Sequence, residues 1–189
     1  GAAISVQPPK SGMGNSMLCM KGGAGGVRGF TLVELMVTVA ALAILSSIAI
    51  PGFSGLINRD RLTSQANELV ATIQYARSEA VRLNGRVTLC PSTDGASCSG
   101  DDWSQLIVLA IRTDEVLRQF SGSGKAAIAA DVDDVTFSSD GLARDSGGLL
   151  AVANITVCID TSNPADNQRV VQLASGSRVS IQQASGACP

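Results

Sequence analysis

The sequence predicts an α+β protein, with one long N-terminal helix and an antiparallel β domain after it. Three observations carry the prediction. Residues 30–50 form an apolar run with a single charge. A stripe of apolar residues at spacings of four and three runs from Leu62 to Leu83. From Arg86 onward the apolar period changes to two, the spacing of strands whose side chains alternate between faces. At 189 residues the chain accommodates one domain with an appended element.

The helix comes first in the chain. Residues 1–29 are rich in Gly, Ser and Pro and show no periodicity. Residues 30–50 are then 21 residues in which Glu34 is the one charge. About 20 mostly apolar residues span a bilayer as a helix. Lys21 and Arg28 lie just upstream, which keeps the N-terminal side cytoplasmic by the positive-inside rule. No Ala-x-Ala-like cleavage site follows the run, unlike an ordinary secretory signal. A simple signal anchor and a buried core helix are the rival readings of this pattern. Pro51 weakens or kinks the helix, because proline lacks an N–H and clashes with the preceding turn. Leu62, Ala66, Leu69, Ile73, Ala76, Ala80 and Leu83 then place one apolar stripe on an amphipathic segment. Asn84-Gly85 is the expected C-terminal cap.

Seven short stretches after the helix read as strands: 86–90, 104–111, 115–120, 134–138, 154–160, 168–173 and 177–182. Each is rich in Val, Ile, Leu or Phe and is bounded by Gly, Ser, Asp or Asn. Residues 104–120 form a hairpin, and a tight turn joins the last two strands. One or two small antiparallel sheets then cover the helix stripe. Residues 121–130 and 139–148 read as exposed loops. The segments are 1–29, a pre-sequence; 30–50, a transmembrane helix; 51–84, an amphipathic helix; and 85–189, a β domain.

Composition narrows the function. The chain has 14 Lys plus Arg against 16 Asp plus Glu, a net charge of −2. That is not the basic footprint of a general nucleic-acid binder. It contains no histidine, which removes the commonest general base and metal ligand and the Ser-His and Cys-His nucleophile pairs. An enzyme is therefore the class with least support, and no cofactor or small-molecule substrate is expected. "GGAGG" lacks the Gly-Lys-Ser/Thr of a phosphate loop. The acidic runs at 101–102 and 131–134 lack an EF-hand pattern and read as solvated loops rather than Ca²⁺ sites.

Cys19 falls in the pre-sequence and four cysteines remain, which allow three pairings. Cys90–Cys98 closes a short loop and Cys158–Cys188 pins the chain end to a strand, an arrangement stable in an oxidising compartment. A four-thiolate zinc site is the rival, but it favours two close Cys pairs, and Cys158 and Cys188 are isolated.

The stretch "GFTLVEL" (29–35) resembles the type IV prepilin signature. The resemblance implies that prepilin peptidase cuts after Gly29 and that the new N-terminal amine, on Phe30, is methylated. "MKGGAGGVRG" (20–29) would be a complete short basic leader, with 1–19 extraneous to it. Glu34 is then the fifth mature residue. A carboxylate in hydrocarbon costs ~2.5–3.5 kcal/mol and seeks a partner. The family's partner for it is the α-amine of a neighbouring subunit; snorkelling to the near interface is the alternative.

The segment from Asn58 to Cys90, with "ARSEAV", Trp103 and the Phe137–Gly141 turn, is similar to the FimT/FimU minor pilins and the GspH pseudopilins. Trp103 is followed by Ser104 where that family often has Gly-Trp near the start of this strand. The resemblance implies a type IV pilin-like fold and a subunit of a tip or priming complex, partnered by the major pilin, other minor pilins and prepilin peptidase. It places the subunit in the bacterial inner membrane with its domain in the periplasm, and later in the pilus fibre at the cell surface. Two other functions are implied. One is a GspH-like minor pseudopilin of type II secretion. The other is DNA binding in natural transformation, through Arg169 and Arg178; FimT-type tails carry Gly-Arg-x-Arg, and here Arg178 stands alone in the tail.

Overall fold

A computed structural model describes residues 29–122 and 124–189, with the backbone alone at 48–52. Residues 1–28 of the expected pre-sequence lie outside the described residues. So do the side chains around Pro51, and with them the expected kink. The chain divides into two compact units at Leu42/Ala43.

Helix α1 (Leu32–Arg82) spans 51 residues and crosses that division. It begins where Thr31 caps it: the Glu34 N–H donates to Thr31 Oγ1 at 3.2 Å, satisfying one of the orphan donors of a helix start. It ends at Asn84, whose φ of 45° is left-handed. The Gly85 N–H donates to the Ala80 carbonyl at 3.1 Å and the Asn84 N–H to that of Val81 at 3.2 Å. That pair of bonds is a Schellman cap, at the dipeptide the sequence names.

Among the described residues nine strands follow: β1 (Val87–Pro91), β2 (Gln105–Ala110), β3 (Glu115–Ser121), β4 (Ala126–Ala130), β5 (Val135–Phe137), β6 (Ala143–Arg144), β7 (Ala153–Ile159), β8 (Gln168–Ala174) and β9 (Arg178–Ala184). They form two antiparallel sheets, a five-stranded one ordered β3-β2-β1-β5-β6 and a four-stranded one ordered β4-β7-β8-β9. The β2–β3 and β8–β9 hairpins stand where the turn residues place them.

The stripe on α1 is the common surface. Leu62, Ala66, Leu69, Ile73, Ala76 and Ala80 are buried in one cluster with residues of both sheets. Leu89, Leu106 and Phe137 come from the five-stranded sheet, and Ile155, Val171 and Leu173 from the four-stranded one. Each large side chain removed from water contributes ~1.5–3 kcal/mol, and the alanines let the backbones approach. Gly141, in the Phe137–Gly141 turn, has a φ of 74°, and a Cβ there would lie 3.2 Å from Val81 Cγ2. The turn can rest on the helix because glycine has no side chain.

Two expectations are corrected. Residues 121–130 and 139–148 are not wholly loop. β4 runs inside the first and pairs with β7 from Ala126↔Ile159 to Ala130↔Ile155. Its sequence is four alanines around Ile128, so no period-two signal announces it; cross-strand pairing and the burial of Ile128 make it a strand. β6 lies in the second and is two residues long, below what a pattern reveals.

Candidate assembly site

The N-terminal unit is built from its surface. Phe30 is 83% exposed, and Leu32, Val33, Leu35, Met36, Val37, Val39 and Leu42 are exposed as well. In the second unit Leu45 and Phe53 are exposed. Three hydroxyls of the run bond within the helix. The Thr31 hydroxyl caps it, Thr38 Oγ1 donates to the Leu35 carbonyl at 2.9 Å, and Ser47 Oγ donates to that of Ile44 at 2.7 Å. Hydroxyls satisfied within the helix can enter an apolar environment at little cost. Glu34 is the one ionisable group on this surface, exposed in the first turn. Gly29, which the sequence reading makes the cleavage residue, is also exposed, and a Cβ there would meet nothing within 4 Å. Among the described residues no helix is long and apolar enough to cross a membrane. The described side chains of the 30–50 segment stop at 47.

The β domain is held at its loops by two disulfides, Cys90–Cys98 and Cys158–Cys188. With these four cysteines paired, no free thiol remains among the described residues for a thiolate zinc site. Among the described residues no group of three or more Cys, Asp or Glu is placed to hold a metal ion. Inside the smaller ring, Asp94 accepts the Ala96 and Ser97 N–H groups at 2.9 Å each and the Ser97 hydroxyl at 2.8 Å. These bonds hold its carboxyl far below the usual carboxylate range. At the chain end, Asn167 Nδ2 donates to the Gly186 carbonyl at 2.9 Å and the Gly186 N–H returns to Asn167 Oδ1 at 3.1 Å.

The two candidate DNA-contacting arginines do not share a surface. Arg169 is 2% exposed. Its Nη1 donates to the carbonyls of Asp166 and Gln168 at 3.1 and 2.8 Å, and its Nη2 sits 3.5 Å from the Asp166 carboxylate. Arg178 is exposed and pairs with Ala174 on the outward face of β8, whereas Arg169 lies on the core face. Phosphate recognition needs clustered exposed cations, and this pair supplies one.

Sequence reasoning missed a strap at the base of the domain. A Cβ on Gly55 would overlap the side-chain amide of Asn163. Asn58 Nδ2 donates to the Asn163 carbonyl at 3.0 Å, and Arg59 Nη2 lies 3.5 Å from Asp166. The segment 160–167 is thus seated on α1, with Asp166 shared between Arg59 and buried Arg169. A glycine inside a helix, costing up to about 1 kcal/mol against alanine, was the signal available.

Comparisons with known proteins found the following similarities. The family described as Type II transport protein GspH matches residues 65–177, and the prokaryotic N-terminal methylation motif matches residues 26–50. A protein named Fimbrial protein from Pseudomonas aeruginosa is 30% identical over 137 residues, covering 69% of this chain and 77% of its own. The Type IV major alpha-pilin of Moraxella bovis is 41% identical over 44 residues, 23% of this chain and 28% of its own. Among solved structures, the type IV minor pilin FimU of Pseudomonas aeruginosa is 24% identical, covering 66% of this chain and 90% of its own, with a TM-score of 0.49. The minor pseudopilin EpsH of Vibrio cholerae is 11% identical, covering 66% and 98%, with a TM-score of 0.48. The chain belongs to the GspH family, carries the prokaryotic N-terminal methylation motif and is related to fimbrial proteins.

Proposed function

We propose that this protein is a minor pilin that joins a tip or priming complex and supports assembly of a type IV pilus. Prepilin peptidase cuts between Gly29 and Phe30, and the Phe30 amine is methylated. The observation that carries the reading is the start of α1. There the methylation motif coincides with apolar side chains that are exposed among the described residues. The inner membrane covers that surface first, with the β domain in the periplasm. Helices of neighbouring subunits cover it afterwards, in the fibre. Glu34 supplies the bias between the two states. Its carboxylate costs ~2.5–3.5 kcal/mol in hydrocarbon, and in the fibre it pairs with the α-amine of a neighbour. Residues 30–50 serve as anchor and then as fibre core, 51–84 link them to the domain, and 85–189 present the surface to other pilins.

Relatives named as a fimbrial protein and a type IV major pilin support the pilus. The family name, a type II transport protein, supports a second reading as a minor pseudopilin of type II secretion. The test replaces Gly29 by Trp and weighs the membrane-extracted protein. Retention of the leader is expected; a mature mass equal to wild type contradicts the cleavage assignment. Recovery of the wild-type subunit in sheared pili separates the pilus from the secretion reading.

A further inference from the structure

The two ends of the Cys90–Cys98 bond differ in what can reach them. Cys90 is 1% exposed, whereas Cys98 is exposed. Val87 and Leu89 of β1 enter the core cluster, so Thr88 and Cys90 lie on the outer face of the sheet. A cavity of about 460 Å³ opens on that face, a size ordinary for a small-ligand site. Its walls include Cys90, Cys98, Thr88, Thr136, Asp133 and Asp134, and among the described residues no cationic side chain. Among those residues neither Asp133 nor Asp134 forms an ion pair. Asp134 accepts the hydroxyls of Thr88 at 3.2 Å and Thr136 at 2.8 Å. The loop between the cysteines holds its shape without sulfur. The Ser99 N–H donates to the Pro91 carbonyl at 2.9 Å, one residue past each cysteine. Ser92 Oγ donates to the Ser97 carbonyl at 2.7 Å, and the Thr93 N–H to Ser99 Oγ at 3.1 Å. These bonds keep Cys98 beside Cys90 when the disulfide opens.

We propose that this cavity is a thiol-exchange site, where a small cationic disulfide compound enters at Cys98 and Cys90 completes the bond. In the reduced pair, the Cys98 thiolate attacks one sulfur of the compound. That S–S bond breaks, one thiolate leaves with the electron pair, and a mixed disulfide forms on Cys98. The Cys90 thiolate then attacks Cys98 Sγ, and the second thiolate leaves. The two cysteines give up two electrons and two protons, and the compound departs as two thiols. Burial sets the order. The nucleophile is the thiolate, and burial in apolar surroundings disfavours it. Cys90 therefore acts second, on a sulfur the loop already holds beside it. In the reverse direction an attacking thiolate reaches Cys98 and expels Cys90. Charge sets the substrate. Asp133 and Asp134 attract ammonium groups on the incoming compound and repel carboxylates, an effect that weakens with salt. The site is independent of the assembly reading above.

The test exposes the full-length chain in detergent to cysteamine, quenches it, alkylates it with N-ethylmaleimide and maps the peptides. The expected species carries cysteamine on Cys98 and the alkyl label on Cys90. The reverse placement, or no mixed disulfide at either residue, overturns the proposal. A second measurement uses Cys90→Ser, with its Cys158–Cys188 bond confirmed by mapping. Each rate is divided by that of the same chain in urea, which removes the reagents' own difference. Cys98 should then react with cystamine about tenfold faster than with oxidised glutathione. Asp133→Asn/Asp134→Asn in that chain should erase the preference. Equal normalised rates before the substitutions, or an unchanged preference after them, also overturn the proposal.

Discussion

Arg77 and Ser177 join the helix to the far end of the chain. Arg77 Nη1 donates to the Ser177 carbonyl at 3.2 Å. Ser177 Oγ in turn accepts the Ala143 N–H at 2.6 Å. One residue in the β8–β9 turn thereby ties α1 and β6 of the other sheet. Ser177 is buried with a φ of 60°. Ser177→Ala strands a buried N–H, costing about 1–3 kcal/mol, and keeps the left-handed backbone. Ser177→Gly strands the same group but relieves the backbone. Thermal unfolding of the full chain in detergent should rank wild type above Gly, and Gly above Ala.

Gly55 sets two effects against each other. Helix propensity alone favours Gly55→Ala by about 1 kcal/mol. The added Cβ overlaps the Asn163 amide, and the strap must move, breaking the Asn58–Asn163 bond and the Arg59–Asp166 pair. The strap should lose: hydrogen exchange at 160–167 rises in the variant while that at 66–80 stays unchanged.

The two disulfides should differ in weight. Loop-closure entropy gives about 3–4 kcal/mol for a ring the size of Cys158–Cys188 and about 2–3 kcal/mol for one like Cys90–Cys98; their sequence separations are 30 and 8. A Cys158→Ser/Cys188→Ser chain should be the less stable of the two double variants. It should also lose exchange protection at the Gly186 N–H, which Asn167 Oδ1 holds.

Asp94 should give stability a pH dependence of defined sign. Its folded pKa is lowered by the N–H groups of Ala96 and Ser97. A lowered folded pKa stabilises above the unfolded value, about 3.9, and that contribution is lost as pH falls. Asp94→Asn should therefore be less stable than wild type at pH 7, and the gap should narrow toward pH 3. Asp140, held down by Arg144 and the Leu142 N–H, titrates with the same sign, so the variant keeps part of the slope.

Legibility followed physical pattern. The α1 stripe was readable because six residues at helical spacing all face one core. The Asn84-Gly85 cap was readable because few residues enter the left-handed region cheaply. β4 was hidden, since alanines carry no alternation. Arg169 was misleading: its charge suggested a surface, while Asp166 and two carbonyls satisfy it inside. Thr31 had a legible signal in its spacing from Glu34, the start of a capping box. The strap on Gly55 had only a mid-helix glycine to announce it.

The proposed role of Glu34 is to carry the subunit from membrane to fibre. It is tested by Glu34→Ala, measuring the subunit in the membrane fraction and in sheared fibres of the same cells. An unchanged membrane level is expected, with a fibre fraction reduced about tenfold or more, since tenfold corresponds to about 1.4 kcal/mol. Equal fibre fractions for variant and wild type would contradict it.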